Sequence, residues 1–160
     1  SLRYQVVVLG SEIGNAMTIN SFAFKPTSGE GVVFDEFTVY MGPAAGNTLG
    51  SDFMANYSGS RTKVYSHTSV SFAPSGGWVT IPLDTPYFHA GTGNLIIEVE
   101  WPDGEQEIYA GYWTTTGARL LTASYGSSTG YAYDFCPNLL LSGTLDLAPM
   151  TFGSIKATFQ

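Results

Sequence analysis

The stretch Leu95-Ile-Ile-Glu-Val-Glu-Trp101 decides the fold class, because its side chains alternate with the period of two that a β-strand imposes. Every odd-numbered position is apolar, whereas two of the three even-numbered positions are glutamates. The stretch Phe37-Thr-Val-Tyr-Met41 alternates in the same way. Strands with one apolar face are what two packed β-sheets require, so this pattern favours a β-sandwich.

The rest of the chain continues this pattern, with short β-branched and aromatic runs separated by Gly, Pro, Ser and Asn clusters. Only residues 11–14 suggest a helical turn, and residues 41–57 form a long glycine-containing loop that folds onto the domain or contacts a partner. We expect one all-β domain over residues 1–160, an antiparallel two-sheet β-sandwich. Its predicted strands are 3–9, 17–25, 32–41, 62–66, 69–73, 78–83, 94–101, 106–113, 119–124, 131–135, 138–142 and 153–159.

Composition excludes several classes of protein. With 44% apolar residues, including 10 Phe, 10 Tyr and 3 Trp, the chain can build a core and is not a disordered acidic tail. Its longest apolar runs fall far short of the ~20 residues of a membrane-spanning helix, so we expect no membrane insertion. A net charge of −7 argues against a nucleic-acid partner. The single cysteine, Cys136, cannot form an internal disulfide, and its apolar setting predicts a buried thiol.

Five stretches carry a family resemblance: Arg3-Tyr-Gln-Val-Val-Val-Leu-Gly-Ser-Glu-Ile-Gly14, Ile19-Asn-Ser-Phe-Ala-Phe24, Phe37-Thr-Val-Tyr-Met-Gly42, Gly77-Trp-Val-Thr-Ile-Pro-Leu-Asp-Thr-Pro86 and Gly93-Asn-Leu-Ile-Ile-Glu-Val-Glu100. The series resembles the jelly-roll-like β-sandwich modules of large secreted bacterial surface proteins, of the cleaved-adhesin and choice-of-anchor types. The resemblance implies an extracellular or cell-surface, non-catalytic module used for adhesion, carbohydrate contact or spacing. It supplies no functional residues, and no required cofactor.

The terminal strands and the sparse charge favour self-association. Exposed terminal strands can pair with the sheet edge of a neighbouring subunit, although they can equally close the fold of their own chain. The candidate assembly contacts are Tyr4, Val6, Val8, Ile155 and Phe159. Our leading hypothesis is a self-assembling surface or filament subunit that works by strand pairing and loop contacts.

The aromatic residues support an alternative, a carbohydrate-binding module. Tyr109 and Trp113 fall on one strand face, and Tyr131, Tyr133 and Phe135 fall on another. A row of exposed rings can stack on sugar rings while Asp134 or Thr114 bonds the hydroxyl groups; a buried row would instead belong to the core. The candidate glycan-binding residues are Tyr109, Trp113, Tyr131, Tyr133 and Asp134.

The acidic residues around Glu98, Glu100 and Asp103 suggest a calcium site, since Ca²⁺ prefers oxygen ligands. A solvated strand face is the simpler interpretation, and no calcium-loop motif is present. Calcium is therefore a candidate ligand and not a required one.

Catalytic motifs are weak. The pattern Gly126-Ser-Ser-Thr-Gly130 matches a hydrolase nucleophile elbow, but a strand pattern follows Ser128 where such an elbow needs a helix. His67 and His89 lie far apart in surface or strand-end segments, without metal-ligand spacing. We therefore expect the chain not to be an enzyme.

Overall fold

The computed structural model describes residues 1–27, 31–73, 77–103 and 110–146. Strands make up almost all of the regular secondary structure in the described chain, and every strand pair is antiparallel, which confirms the predicted all-β antiparallel class. The elements are β1 (Leu2–Val8), α1 (Gly10–Ile13), β2 (Met17–Phe24), β3 (Val32–Pro43), β4 (Thr62–Phe72), β5 (Val79–His89), β6 (Leu95–Trp101), β7 (Tyr112–Thr114), β8 (Leu120–Ala123), β9 (Tyr131–Tyr133), β10 (Phe135–Pro137) and β11 (Leu139–Leu145).

Strand β1 lies inside the largest sheet. That sheet has six strands in the order β4-β3-β6-β1-β8-β9, so β1 is paired on both sides. Val6 lies opposite Ile97 of β6 and Leu120 of β8. Val6 and Val7 are both fully buried, one on each face, which suits a strand at the centre of a sheet.

The main core combines side chains from two sheets. A three-stranded sheet has the order β11-β2-β5, and a two-stranded ribbon pairs β10 with β7. The largest cluster of buried residues includes Val39 and Ile97 from the six-stranded sheet and Phe22 and Ile81 from the three-stranded sheet. The alternation of β3 and β6 therefore places their apolar faces in one common core.

The opposite face of the six-stranded sheet is also covered. Residues 44–61, which we call the covering loop, place Leu49, Phe53 and Tyr57 against Val7 and Ile96. This confirms that the predicted loop folds onto the domain, although β3 continues through Pro43 before the loop begins. Because β6 is buried on both faces, the interpretation of its glutamate face as solvated is wrong.

Several strand bounds differ from prediction. The two strands expected at 62–66 and 69–73 form the single strand β4, in which Ser69 has a φ of 56°. The helical turn is present as α1, and Gly14 ends it with a φ of 85°. The expected strand at 153–159 lies outside the described residues, and so do residues 106–109 of the strand expected at 106–113. Nowhere in the described ranges is there a helix long and apolar enough to cross a membrane.

Candidate functional site

Aromatic rings from three short strands gather at one surface. Phe135 of β10 lies 4.7 Å from Tyr112 of β7 and 5.3 Å from Tyr133 of β9, measured between ring centroids. Tyr131 lies on the same face of β9 as Tyr133, because residues two apart on a strand share a face. The side chains of Tyr131, Tyr112 and Tyr133 are 78%, 63% and 41% exposed. We call Tyr112, Tyr131, Tyr133 and Phe135 the aromatic row.

Polar groups border the aromatic row. Thr114 is exposed and lies opposite Phe135 in the β7–β10 ribbon, so its hydroxyl is on the same side as that ring. Asp134 is exposed between β9 and β10, and its backbone oxygen accepts a hydrogen bond from the Thr115 amide at 2.8 Å. The turn that carries Asp134 is thereby fixed next to the row.

An apolar cavity of about 580 Å³ extends from the aromatic row into the core. Tyr112 and Tyr133 line it together with Phe37 and Trp101, whose rings stack at 5.8 Å. Tyr4 also lines the cavity, and burial raises the pKa of its phenol well above the usual range, so the hydroxyl stays neutral. The described walls of the cavity therefore suit uncharged, largely apolar groups.

The other predicted aromatic residues lie elsewhere. Trp113 points to the opposite side of β7 from Tyr112, where its ring lies 5.9 Å from the Arg119 guanidinium. Tyr109 lies outside the described residues. Tyr131 and Tyr133 thus share one face of β9, Asp134 is exposed in the turn that follows, and Tyr112, not Trp113, lies beside Phe135.

A second polar cluster surrounds Glu98, whose side chain is fully buried under the covering loop. Arg3 Nε donates to its Oε1 at 2.9 Å, and Gln5 Nε2 donates to its Oε2 at 2.6 Å. The Tyr57 hydroxyl donates to Oε2 at 2.9 Å, and Arg61 donates to Oε1. Oε1 therefore has two charged donors and Oε2 has two neutral donors, and we call this set the glutamate network.

The glutamate network also fastens the covering loop. Gln5 donates to the Phe53 carbonyl at 2.8 Å, and Asn56 donates to the Gln5 side-chain oxygen at 3.0 Å. Burial and the charge of Glu98 raise the pKa of Tyr57 far above its usual range. Burial is also the main reason that the pKa of Tyr40, over which Arg61 packs at 3.9 Å, rises to about 12. These groups are neutral or paired at physiological pH, which is typical of a structural network.

The three candidate calcium ligands, Glu98, Glu100 and Asp103, lie in different surroundings. Glu98 is occupied by its donors, and Glu100 lies 3.9 Å from Arg3. Asp103 is exposed at the end of the described range 77–103. Over the described ranges, no three His, Cys, Asp or Glu side chains are grouped so that they could hold a metal ion. Calcium binding stays a prediction without a site in the described part of the chain.

Three of the candidate assembly contacts lie on a strand that is not at the edge of its sheet. Tyr4, Val6 and Val8 lie on β1, and contact with a partner through them would require β1 to leave the sheet. Ile155 and Phe159 lie outside the described residues. The sequence gives no strand order, and therefore could not reveal that β1 is central.

The residues of the weak catalytic motifs are far from forming a common site. Ser128 lies in a turn, its backbone oxygen accepts the Phe53 amide at 3.1 Å, and strand β9 follows, as expected. His67 is exposed and paired with Asp84 at 2.8 Å. His89, expected at the surface, is only 5% exposed, which corrects that prediction. It is buried because β5 extends to His89 and pairs there with Met17 of β2.

Comparison of the chain with protein-family models, with curated proteins and with solved structures finds no match. The resemblance to bacterial surface modules and the expected extracellular location accordingly stay predictions.

Proposed function

We propose that this chain is a non-enzymatic extracellular module that binds neutral glycans on a jelly-roll-like β-sandwich. The observation that carries the proposal is the aromatic row, in which the exposed Tyr112 and Tyr133 adjoin the partly buried Phe135 and the exposed Tyr131 shares a strand face with Tyr133. Large exposed rings are costly to leave in water, and a contiguous set of them is typical of a binding surface.

The chemistry of the row fits a sugar. The C–H face of a pyranose ring is apolar and packs on a flat aromatic ring, while its hydroxyl edge needs hydrogen-bond partners. Thr114 lies opposite Phe135 and provides a hydroxyl for that edge, and Asp134 is an exposed carboxylate in the adjoining turn between β9 and β10. With a net charge of −7, the protein repels acidic polysaccharides, so the glycan we propose is neutral.

The fold supports a role in contact and not in catalysis. A core shared by the six-stranded and three-stranded sheets supports the sandwich arrangement. Ser128 has no helix after it, and the buried carboxylate of Glu98 is held by Arg3 and Arg61.

The test is affinity electrophoresis of the full chain in gels containing laminarin, xylan or galactomannan. We expect at least one of these neutral polysaccharides to retard the protein, and Tyr133→Ala and Tyr131→Ala each to weaken retention roughly tenfold, about 1.4 kcal/mol. The matched control is Phe88→Ala, which removes a ring that is 55% exposed on β5, away from the row. Equal effects of all three substitutions, or no retardation by any of the polysaccharides, would contradict the proposal.

A self-associating surface subunit is the second candidate. The observation that favours it is the edge position of β11 in the three-stranded sheet, with Leu140 and Leu145 about half exposed. Strand addition at this edge by Ile155 and Phe159 of a neighbouring copy would build a polymer. Light scattering with negative-stain microscopy, with and without calcium, tests it: ordered polymers would support this candidate, and a clean monomer of 17.1 kDa in both conditions would remove it.

A further inference from the structure

The apolar cavity below the aromatic row crosses the whole six-stranded sheet. Each strand of that sheet contributes at least one lining side chain, and from β9 to β4 these are Tyr133, Leu120, Tyr4, Trp101, Phe37 and Phe72. Neighbouring strands in a sheet lie about 4.8 Å apart. Because three strands separate β9 from β3, the cavity extends over roughly 20 Å.

The cavity lies between two layers of strands. Opposite the six-stranded sheet it is lined by Phe24 of β2, Leu139 of β11, and Phe135 and Pro137 of β10. The space is therefore not one exposed face of a sheet. A volume of about 580 Å³ over this length gives a mean cross-section of about 30 Å², so the walls can contact a single extended chain along most of its length.

The interior of the cavity is uncharged. None of the described side chains that line it carries a charge at neutral pH. Burial alone raises the pKa of Tyr4, which keeps this phenol neutral. A charged group brought into the cavity would lose its hydration without gaining an ionic partner from these walls, so the group that enters must be uncharged.

The opening of the cavity is more polar than its interior. Tyr112 and Tyr133 line the cavity and are also exposed members of the aromatic row, so they mark where it meets solvent. The exposed Thr114 lies opposite Phe135, another lining residue. This change from polar to apolar surroundings suits a molecule with a polar head and an apolar tail. The net charge of −7 disfavours an acidic head.

We propose that the cavity binds the alkyl chain of a neutral, single-chain amphiphile, which enters beside Tyr112 and Tyr133 and leaves its polar head at the opening. Each buried CH₂ group should tighten binding about fourfold. The inference goes beyond glycan binding and does not depend on it, because the cavity recognises the tail of the ligand whatever its head is.

Isothermal titration calorimetry of the full chain tests this with ligands whose head is not a sugar. The probes are the hexyl, octyl and decyl monoethers of tetraethylene glycol, each below its critical micelle concentration. We expect the octyl ether to bind at least about tenfold more tightly than the hexyl ether, and the decyl ether more tightly again. Octanoate should bind more weakly than the octyl ether at low salt. No binding of the ethers, or affinity that does not rise with chain length, would overturn the inference, and tighter binding of octanoate would overturn the neutral head.

A pair of substitutions tests whether the chain lies inside the cavity. Thr122 lines the cavity on β8, so Thr122→Phe should fill part of it and weaken binding of the octyl ether at least about tenfold. The control Thr80→Phe makes the same change at an exposed position of β5 and should leave the affinity unchanged. Leu2→Trp, at another lining position, replaces Thr122→Phe if that variant does not melt cooperatively. Equal affinities of the filling variant and the control would overturn the location.

Nuclear Overhauser effects on the unaltered protein locate the chain without any substitution. We expect contacts between the octyl CH₂ groups and the methyl groups of Leu120 and Leu139, which line the cavity, and none to Leu145, which is exposed on β11. Contacts spread over exposed side chains would show detergent-like adsorption and overturn the inference. Because these ethers carry no sugar, failure of this test leaves the glycan proposal standing, and failure of glycan binding leaves this one.

Discussion

Glu98 shows how a charged side chain can be held inside this fold. Bringing a carboxylate out of water costs several kcal/mol, which its surroundings must offset by charge and hydrogen bonds. Arg3, Arg61, Gln5 and Tyr57 all donate to it, and the last two connect it to the covering loop. The side chain therefore links the central strands to the segment that covers them.

Replacing this carboxylate should strongly destabilise the protein. Glu98→Gln keeps the shape of the side chain but leaves Arg3 and Arg61 without their shared negative partner. We expect the free energy of unfolding to fall by about 3 kcal/mol, measured by urea denaturation. The control Glu36→Gln, at an exposed position of β3, should change it by less than about 0.5 kcal/mol. Similar effects of the two substitutions would show that the network contributes little.

Because His89 is buried, we expect the protein to lose stability in mild acid. Burial lowers the pKa of this histidine below its usual value of 6.5, and its Nε2 has no hydrogen-bond partner among the described residues. Because the unfolded chain binds the proton more readily, this contribution to stability is present above about pH 6.5 and is lost as the pH falls through the lower, folded-state pKa.

The measurement is the melting temperature at about pH 7.5 and pH 5 for the wild type and for His89→Gln. We expect His89→Gln to reduce the drop on acidification, whereas His67→Gln, at an exposed position, should leave the drop in place. An unchanged drop in His89→Gln would contradict this role.

At the scale of elements, the central position of β1 gives it a structural role. Val6 and Val7 fill cores on opposite faces of the six-stranded sheet, while Arg3 and Gln5 supply the glutamate network. Because the whole stability of a typical domain is only about 5–15 kcal/mol, losing all of these contacts together should exceed what the fold can tolerate.

Deleting residues 1–9 should therefore prevent folding, and not merely abolish assembly. We expect the shortened chain to lose its near-ultraviolet circular dichroism and its cooperative thermal transition. Deleting only Ser1, which precedes β1 and is exposed, should preserve both signals. A shortened chain that still melts cooperatively would show that β1 is replaceable and would restore it as a candidate for strand exchange.

The alternation of side chains predicted which face of β6 points into the main core, but it did not predict what packs against the other face. In β6 the odd-numbered residues do face the main core, because the period of two is a local property of the backbone. What covers the other face depends on residues 44–61, which are distant in sequence, so the burial of Glu98 was not predictable from β6 alone. The available signal was that Arg3 and Gln5 alternate in one segment as Glu98 and Glu100 do in another, although only the sheet shows that the two segments are paired.

The prediction of the aromatic row had the same limit, because the sequence shows which residues share a strand face but not which strands are paired. Tyr131 and Tyr133 share a face as expected, because both lie on one short strand. The side of the ribbon on which Trp113 lies depends on the pairing of β7 with β10, which the sequence does not specify. Tyr112 was missed for this reason, although its exposure at a strand end made it equally suitable for stacking.

At the scale of the whole molecule, half of the six positive charges are committed to ion pairs with glutamates. All three arginines form ion pairs: Arg3 and Arg61 with Glu98, and Arg119 with Glu12. Hydrogen bonding from Arg119 lowers the pKa of Glu12, which keeps this pair charged at neutral pH. The surface accordingly carries most of the net charge of −7.

This charge distribution predicts that glycan affinity is insensitive to salt. Stacking and hydrogen bonds to a neutral sugar are not screened, whereas contacts to an acidic polysaccharide would be. Between about 50 and 500 mM NaCl, we expect the dissociation constant for a retained neutral polysaccharide to change less than about twofold. A steep salt dependence, measured by isothermal titration calorimetry, would indicate an ionic ligand instead.

The most direct test of the central claim is an NMR titration of the isotopically labelled full chain with laminarin, xylan and galactomannan oligosaccharides. We expect saturable shifts for at least one of them, concentrated at residues 112–114 and 131–135, with the Arg3 and Gln5 side-chain signals unchanged. Saturable shifts located elsewhere, or none with any of the three, would contradict the assignment of the aromatic row as a glycan-binding surface.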